Sequence, residues 1–318
     1  MQVIDADSVT RATPFERLVP ALRELFARGA EVPPRQVLTL ADPGGGEAVT
    51  SLVMSAWDPG RCYAVKVINI APGNAARGLP GLHASVLLHD AVTGVPLALL
   101  DGDAITTRRT AAASALAASW LAPADAREML VVGAGRVAAL LPAAYRAVRP
   151  ITHVTVWARR PEAAEVLAAQ WRHEGFHVTV ATDLAAAVRR APIVSCATLA
   201  TAPVIRGEWL APGSHLDLIG SFTPAMREAD DACFRGAAVW VDTEEALAKS
   251  GELLAPMASG AWRRTDLRGT LAQLSRSEVP GRGDADERTV FKSVGTALED
   301  LAAAMLVQQA VGPGQTRR

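Results

Sequence analysis

A buried strand running into a glycine turn constrains the fold of this chain more than any other stretch. Met129–Val132 is a short apolar run with two adjacent valines, the length and composition of a strand inside a parallel sheet. Gly133, Ala134 and Gly135 follow it. Gly133 permits a tight turn, and Gly135 lets backbone amides approach a pyrophosphate at a helix start. Ala138 stands where a third glycine often sits and is small enough for helix and strand to pack closely. A lone G-x-G-x-x-A run is weak evidence. Here a strand precedes it, a helix is expected after it, and a second strand is expected over His153–Trp157. The stretch 128–138 therefore predicts a dinucleotide-binding unit, with a purely structural glycine turn as the competing reading.

Downstream, expected elements alternate. His153–Trp157, His177–Ala181, Ile193–Ala197, His215–Ile219 and Val239–Asp242 read as strands, and Glu162–His173 and Leu184–Arg190 as helices. That alternation is the signature of a doubly wound parallel sheet in an α/β protein. Residues 243–290 read as helical pieces and loops, with Gly281–Asp284 as an exposed turn. A last helix is expected over Ser293–Val311, and Gly312–Arg318 reads as a frayed tail.

Upstream, residues 1–30 have helical spacing through Leu18, Val19, Leu22, Leu25 and Phe26, ending at Gly29. Gln36–Ala41, Ala48–Trp57 and Cys62–Ile70 read as strands separated by glycine turns, and 71–81 as a long loop. Leu82–His89 and Val95–Leu100 form a hairpin, and a helix runs from Ala104 to Leu121. Lys66 interrupts an apolar strand run. It either faces solvent on an edge strand or is a substrate or proton-transfer lysine, since burying it is costly without a partner. The helix opening Thr106–Thr110, with Arg108 and Arg109, suits an anion as well as it suits solvent.

The strand after the glycine turn ends in Trp157, Ala158, Arg159 and Arg160. An NAD-selective fold places a carboxylate about 20 positions after the glycines, on the ribose 2′-hydroxyl. No carboxylate stands here, and two guanidiniums do. Arginine pairs bidentately with phosphate, so the expected cofactor is NADPH rather than NAD(H).

The 318 residues carry a formal net charge of −1, which gives no electrostatic footprint for nucleic acid. Cys62, Cys196 and Cys233 have neither disulfide nor zinc spacing, so no metal is expected. With no leader and no apolar run of spanning length, the expectation is a cytoplasmic protein without a membrane partner.

Taken together these motifs resemble the ornithine cyclodeaminase/mu-crystallin family over nearly the whole chain. The specific pieces are Val65-Lys66-Val67 followed by Pro72-Gly73-Asn74, Arg109-Thr110-Ala111-Ala112 with Ser114-Ala115, the Gly133 turn, and Phe291-Lys292-Ser293-Val294-Gly295. The resemblance implies a homodimer of two-domain chains: a Rossmann domain (123–292) and a substrate-binding and dimerisation α+β domain (1–122 with 293–318). It implies that Arg35, Lys66 and Arg109 surround the carboxylate and reacting nitrogen of a small imino or amino acid. Ser85, Thr110, Thr198 and Ser293 match cofactor contacts, beside Gly133, Ala134, Gly135, Arg136, Val137, Arg159 and Arg160.

The chain departs from the family's cyclodeaminases and alanine dehydrogenases at one position. Those carry an aspartate two residues before a proline in the loop after the fifth Rossmann strand, where this chain has Phe222 ahead of Pro224. The expected function is therefore NADPH-dependent reduction of a cyclic ketimine such as pyrroline-2-carboxylate or piperideine-2-carboxylate. A lysine between two arginines is expected to have a lowered pKa that eases proton donation. A cyclodeaminase with bound NAD is the alternative if Asp217 or Glu228 replaces the missing aspartate. A non-catalytic NADPH-binding protein and an amino-acid dehydrogenase or reductive aminase are the others. Met54, His83 and Phe222 are expected to influence side-chain selectivity.

Overall fold

The computed structural model describes residues 1–312; the expected tail beyond Gly312 lies outside the described residues. It is an α/β protein that divides into two compact units, Met1–Arg109 with the residues from Thr296 onward, and Thr110–Gly295. The division falls inside a helix rather than at 122, and at Gly295 rather than at 292.

The first unit opens with β1 (Gln2–Ile4), α1 (Ala6–Ala12) and α2 (Phe15–Arg28). The sequence alone predicts helix through residues 1–30. Three residues are too few for an alternating pattern, so β1 left no signal, although it pairs in parallel with a later strand. Asp5 caps α1 by accepting from the Ser8 amide at 2.8 Å. The meander β2 (Gln36–Leu40), β3 (Val49–Asp58), β4 (Cys62–Ile70), β5 (Leu82–Asp90) and β6 (Pro96–Asp101) completes a six-stranded sheet in the order β1-β6-β5-β4-β3-β2. Lys66 is therefore on an interior strand, not an edge. The loop 71–81 contains a 3-10 turn, Pro72–Arg77, tied by the Asn74 side chain donating to the Pro80 carbonyl at 2.8 Å.

One face of this sheet is buried. Met54, Lys66, Val86 and Leu100 are register partners across β3, β4, β5 and β6, and all four are buried. The C-terminal helix, Ala297–Val311, packs on β3, β4 and β5 and on α2. Its first eleven residues are all buried, as its nearly uniform Ala, Leu, Met and Val content demands. It begins at Ala297 rather than Ser293, because Gly295 has φ +77° and the Thr296 hydroxyl then caps the first turn. Helix α3 (Gly102–Leu121) starts two residues earlier than expected. A Cβ at Gly102 would stand 2.5 Å from the backbone of Ala84 and Ser85, so only glycine lets the helix start against β5.

The second unit is a parallel sheet of eight strands: β7 (Glu128–Val132), β8 (His153–Trp157), β9 (His177–Val180), β10 (Ile193–Cys196), β11 (His215–Leu218), β12 (Ala238–Val241), β13 (Leu267–Thr270) and β14 (Thr289–Lys292). Their order is β13-β12-β14-β11-β10-β7-β8-β9. Strands β13 and β14 fall where the sequence suggested helical pieces, loops and the approach to the last helix. Four residues each give too little periodicity, yet β14 sits in the middle of the sheet between β11 and β12. The chain moves outward from β7 to β9, then crosses to β10 on the other side of β7. That reversal is a topological switch point, where such sheets bind ligands at the carboxyl ends of the strands.

The expected helix after the glycine turn is also shorter. Ala138–Leu140 is a 3-10 turn, and α4 is only Leu141–Arg146. Pro142 lacks an amide hydrogen, so it is accommodated at the start of a helix and not in its interior. Helices α5 (Pro161–His173) and α6 (Leu184–Arg190) match the sequence reading closely. The 281–284 turn is exposed only in part. Arg282 reaches back to the Leu121 and Glu287 carbonyls at 2.9 and 2.6 Å. No helix among the described residues is long and apolar enough to cross a membrane.

Candidate active site

Lys66 is 1% exposed, in the buried face beneath the C-terminal helix. Its Nζ lies 2.5 Å from Oδ2 of Asp300, and it also donates to the Thr106 hydroxyl at 3.4 Å. The other Asp300 oxygen accepts from Arg109 Nε at 3.0 Å, and Arg109 Nη1 donates to Glu299 Oε2 at 2.5 Å. Two cations and two carboxylates thus form one buried chain. A charged group is tolerated in such a setting only with partners of this kind.

Burial lowers the Lys66 ammonium from its ordinary value to about 8. Asp300 works against burial, and Arg109 adds to it. The lowering was expected, but its first cause is burial; Arg109 adds to it, and Asp300 and Glu299 oppose it. Arg35 lies half-buried just ahead of β2. Asp300 and Glu299 were not singled out from sequence. The available signal was an adjacent carboxylate pair inside an otherwise apolar helix, where the surroundings force it to find a cation.

The anion site suggested at the start of α3 does not form as expected. Arg108 turns the other way: its Nε donates to the Thr13 carbonyl and hydroxyl at 3.0 and 2.8 Å, and its guanidinium lies 4.5 Å over the Phe15 ring. Thr106 and Thr107 donate to the Gly102 and Asp103 carbonyls. Among the first turns, Arg109 alone of the two arginines joins the Lys66 cluster. Ser85 is exposed and pairs with Val67, which sets it on the face opposite Lys66. His83 is exposed as well, while Met54 is the direct neighbour of Lys66 on β3.

In the second unit, the glycine turn has the conformation its sequence requires. Gly133 has φ +121°, and a Cβ there would lie 2.5 Å from the Ala197 carbonyl. That approach holds the ends of β7 and β10 together at the switch point. A Cβ at Gly135 would meet nothing within 4 Å, so the exposed side of the turn is open to a ligand backbone. Ala134 and Val137 are half-buried and Arg136 is exposed on the same turn. Arg159 and Arg160 are exposed at the end of β8, where a nucleotide 2′-substituent is expected, and neither side chain has a hydrogen-bond or ion-pair partner among the described residues. Thr110 is half-buried on α3, and Ser293 is buried just after β14. These features fit a dinucleotide, and the short α4 leaves its phosphates to the amides of the turn. Among the described residues no group of side chains could hold a metal ion.

Beneath the carboxyl ends of the strands lies a second set of buried charges. Glu228 accepts from the Thr198 amide and hydroxyl at 2.7 and 2.8 Å, and from the Gly220 amide at 2.7 Å. Glu252 accepts from the Glu228 and Ala229 amides, and Asp242 from the Val294 and Gly295 amides. Lys292 is fully buried among them and donates to the Leu218 carbonyl at 2.9 Å. Burial raises Glu228 to about 7 despite Lys292, and raises Glu252 and Asp242 as well. Asp217 accepts from Ser195, Tyr145 and Ser114, and burial raises it to about 6. The two carboxylates that could have replaced an aspartate at position 222 are thus both committed to the interior. Phe222 itself is 43% exposed.

The ornithine cyclodeaminase/mu-crystallin family model matches residues 3–314. Delta(1)-pyrroline-2-carboxylate reductase of Paracoccus denitrificans is 43% identical over 288 residues, covering 89% of this chain and 90% of that protein. Mouse ketimine reductase mu-crystallin is 33% identical over 306 residues, 94% of this chain and 93% of its own length. The solved structure of Thermococcus litoralis Delta(1)-pyrroline-2-carboxylate reductase with NADH and L-proline superposes with a TM-score of 0.91 at 30% identity, covering 98% and 97% of the two chains. An archaeal alanine dehydrogenase dimer with bound NAD gives 0.89 at 27% identity, covering 98% and 96%. With its glycine turn, its eight-stranded parallel sheet and its full-length matches, this chain belongs to the ornithine cyclodeaminase/mu-crystallin family.

Proposed function

We propose that this protein reduces a small cyclic ketimino acid, of the pyrroline-2-carboxylate or piperideine-2-carboxylate type, to the cyclic amino acid with NADPH. The observation that carries the reading is the Lys66 cluster. A lysine with a pKa near 8 is protonated at neutral pH, yet gives up its proton more readily than a free ammonium. The names of the 43% and 33% identical relatives support the same chemistry. The nicotinamide supplies a hydride to the carbon of the C=N bond when bound. Lys66 supplies the proton to the nitrogen, which balances the reduction, and is reprotonated from solvent. Arg109, with Arg35, attracts the substrate carboxylate and fixes the imine. Commitment of Asp217 and Glu228 to buried hydrogen bonds argues against ammonia release by a cyclodeaminase route.

Arg159 and Arg160 support NADPH over NADH, because their uncommitted guanidiniums suit a 2′-phosphate. Loss of nicotinamide absorbance with NADPH and pyrroline-2-carboxylate, and much slower loss with NADH, is the expected result. Arg159→Ala should then weaken NADPH roughly tenfold to a hundredfold and leave NADH unchanged. Release of ammonia from ornithine with no net nucleotide consumed would overturn the reductase reading. A homodimer fits the archaeal relative and the β2 strand, whose Val37, Leu38 and Leu40 are all exposed; light scattering at a single-chain mass would exclude it. The three unpaired cysteines fit a reducing, cytoplasmic setting, which fractionation of the source cells would test.

A further inference from the structure

We propose that Asp300 is the positioning residue for the Lys66 proton donor, holding its ammonium charged and aimed, with Glu299 neutralising the arginine that would otherwise repel it. This rests on the reductase reading for its consequence in turnover, but the charge relation itself does not.

The geometry assigns distinct tasks to the two carboxylates. Asp300 uses one oxygen for Lys66, at 2.5 Å, and the other for Arg109, at 3.0 Å. It therefore bridges two cations that would otherwise face each other in a buried space. Glu299 takes a second Arg109 nitrogen at 2.5 Å. Helix geometry makes adjacent residues diverge, so one helix turn reaches both partners only because Arg109 spans the gap. The charged groups facing Lys66 are Asp300 and Glu299 from the C-terminal helix and Arg109 from α3. Its neighbours on β3 and β5, Met54 and Val86, carry no charge.

With Lys66 protonated, the cluster holds two positive and two negative groups and is neutral. When Lys66 gives up its proton the cluster becomes negative. An imino acid carboxylate arriving beside it then adds a further negative charge, so substrate binding and protonation of Lys66 favour each other. Without Asp300, burial and Arg109 both push the lysine toward its neutral form, and a neutral amine has no proton of this kind to give.

The test uses two readouts. The chain has only three lysines, Lys66, Lys249 and Lys292, so protein labelled at the lysine ε-carbon gives three resolvable titrations by NMR, assigned with Lys66→Arg. The wild-type Lys66 signal should titrate near pH 8. In Asp300→Asn it should move lower by about 1–3 pH units, and in Glu299→Gln it should move the same way by less. The alkaline limb of kcat/KM should follow each shift. A Lys66 titration unchanged in both variants overturns the proposal. So does a uniform loss of kcat/KM with no movement of the limb, which is what a merely structural role would give. If Asp300→Asn does not fold, Glu299→Gln and Asp300→Glu carry the same test, the first lowering the titration and the second restoring it toward the wild-type value. A normal NMR shift with no ketimine turnover in the wild type would instead count against the reductase reading alone.

Discussion

Replacing Lys66 with methionine lowers turnover by about 10²–10⁴-fold, the usual contribution of a positioned general acid, while NADPH affinity stays close to the wild-type value. Methionine keeps most of the length and all of the apolar stem that packs beneath the C-terminal helix, so the change removes charge more than volume. The ammonium's partners Asp300 and Thr106 lie in the same compact unit as Lys66, and the glycine turn belongs to the other. Asp300 keeps Arg109 as a partner, which limits the cost of an uncompensated carboxylate. The measurement is steady-state turnover beside NADPH titration followed by fluorescence. An equal loss in both would sink the proton-donor role, because it would mean that Lys66 supports the fold and not the reaction. The wild-type pH profile should agree: kcat/KM falls as pH rises through about 8, since the donor must be protonated and its pKa lies there.

What could be read from the sequence followed the strength of each local signal. The Gly133 turn was legible because its chemistry is local: one residue needs a positive φ and another needs open space, and glycine alone supplies both cheaply. Lys66 stood out because a charge broke an apolar strand. Its partners were less visible, since Asp300 is 234 positions further along the chain and the ion pair depends on how a helix docks on a sheet. Arg108 and Arg109 show the same limit from the other side. They are neighbours in a helix, point about 100° apart, and only packing decides that one meets Thr13 and the other meets Glu299 and Asp300. The short strand β14 was missed because four residues carry almost no periodicity, although the pairing of both its edges makes it central.

The same strand ends in the residue whose loss should cost most stability. Lys292 lies among Glu228, Glu252, Asp242 and Asp217, and all four attract its charge. Lys292→Met should destabilise the protein by about 3–5 kcal/mol, the usual result of removing one side of a buried charge arrangement. Two of these carboxylates also accept from loop amides, Glu228 from Thr198 and Gly220 and Asp242 from Val294 and Gly295, so their repulsion would act on the loops at the strand ends. The pH dependence has a definite sign. Glu228 is raised in the folded chain from 4.5 to about 7, so the folded state holds more protons than the unfolded state between those values, and its contribution to stability falls as pH rises across that window. Removing Lys292 takes away a charge that lowers Glu228, so its window moves above pH 7. The difference in melting temperature between wild type and Lys292→Met should therefore be small near pH 5, where Glu228 is protonated in the folded variant, and widen toward pH 8. Melting curves at the two pH values measure it directly. A gap that stays constant with pH would show that the lysine acts through packing and its bond to the Leu218 carbonyl rather than through the charges around it.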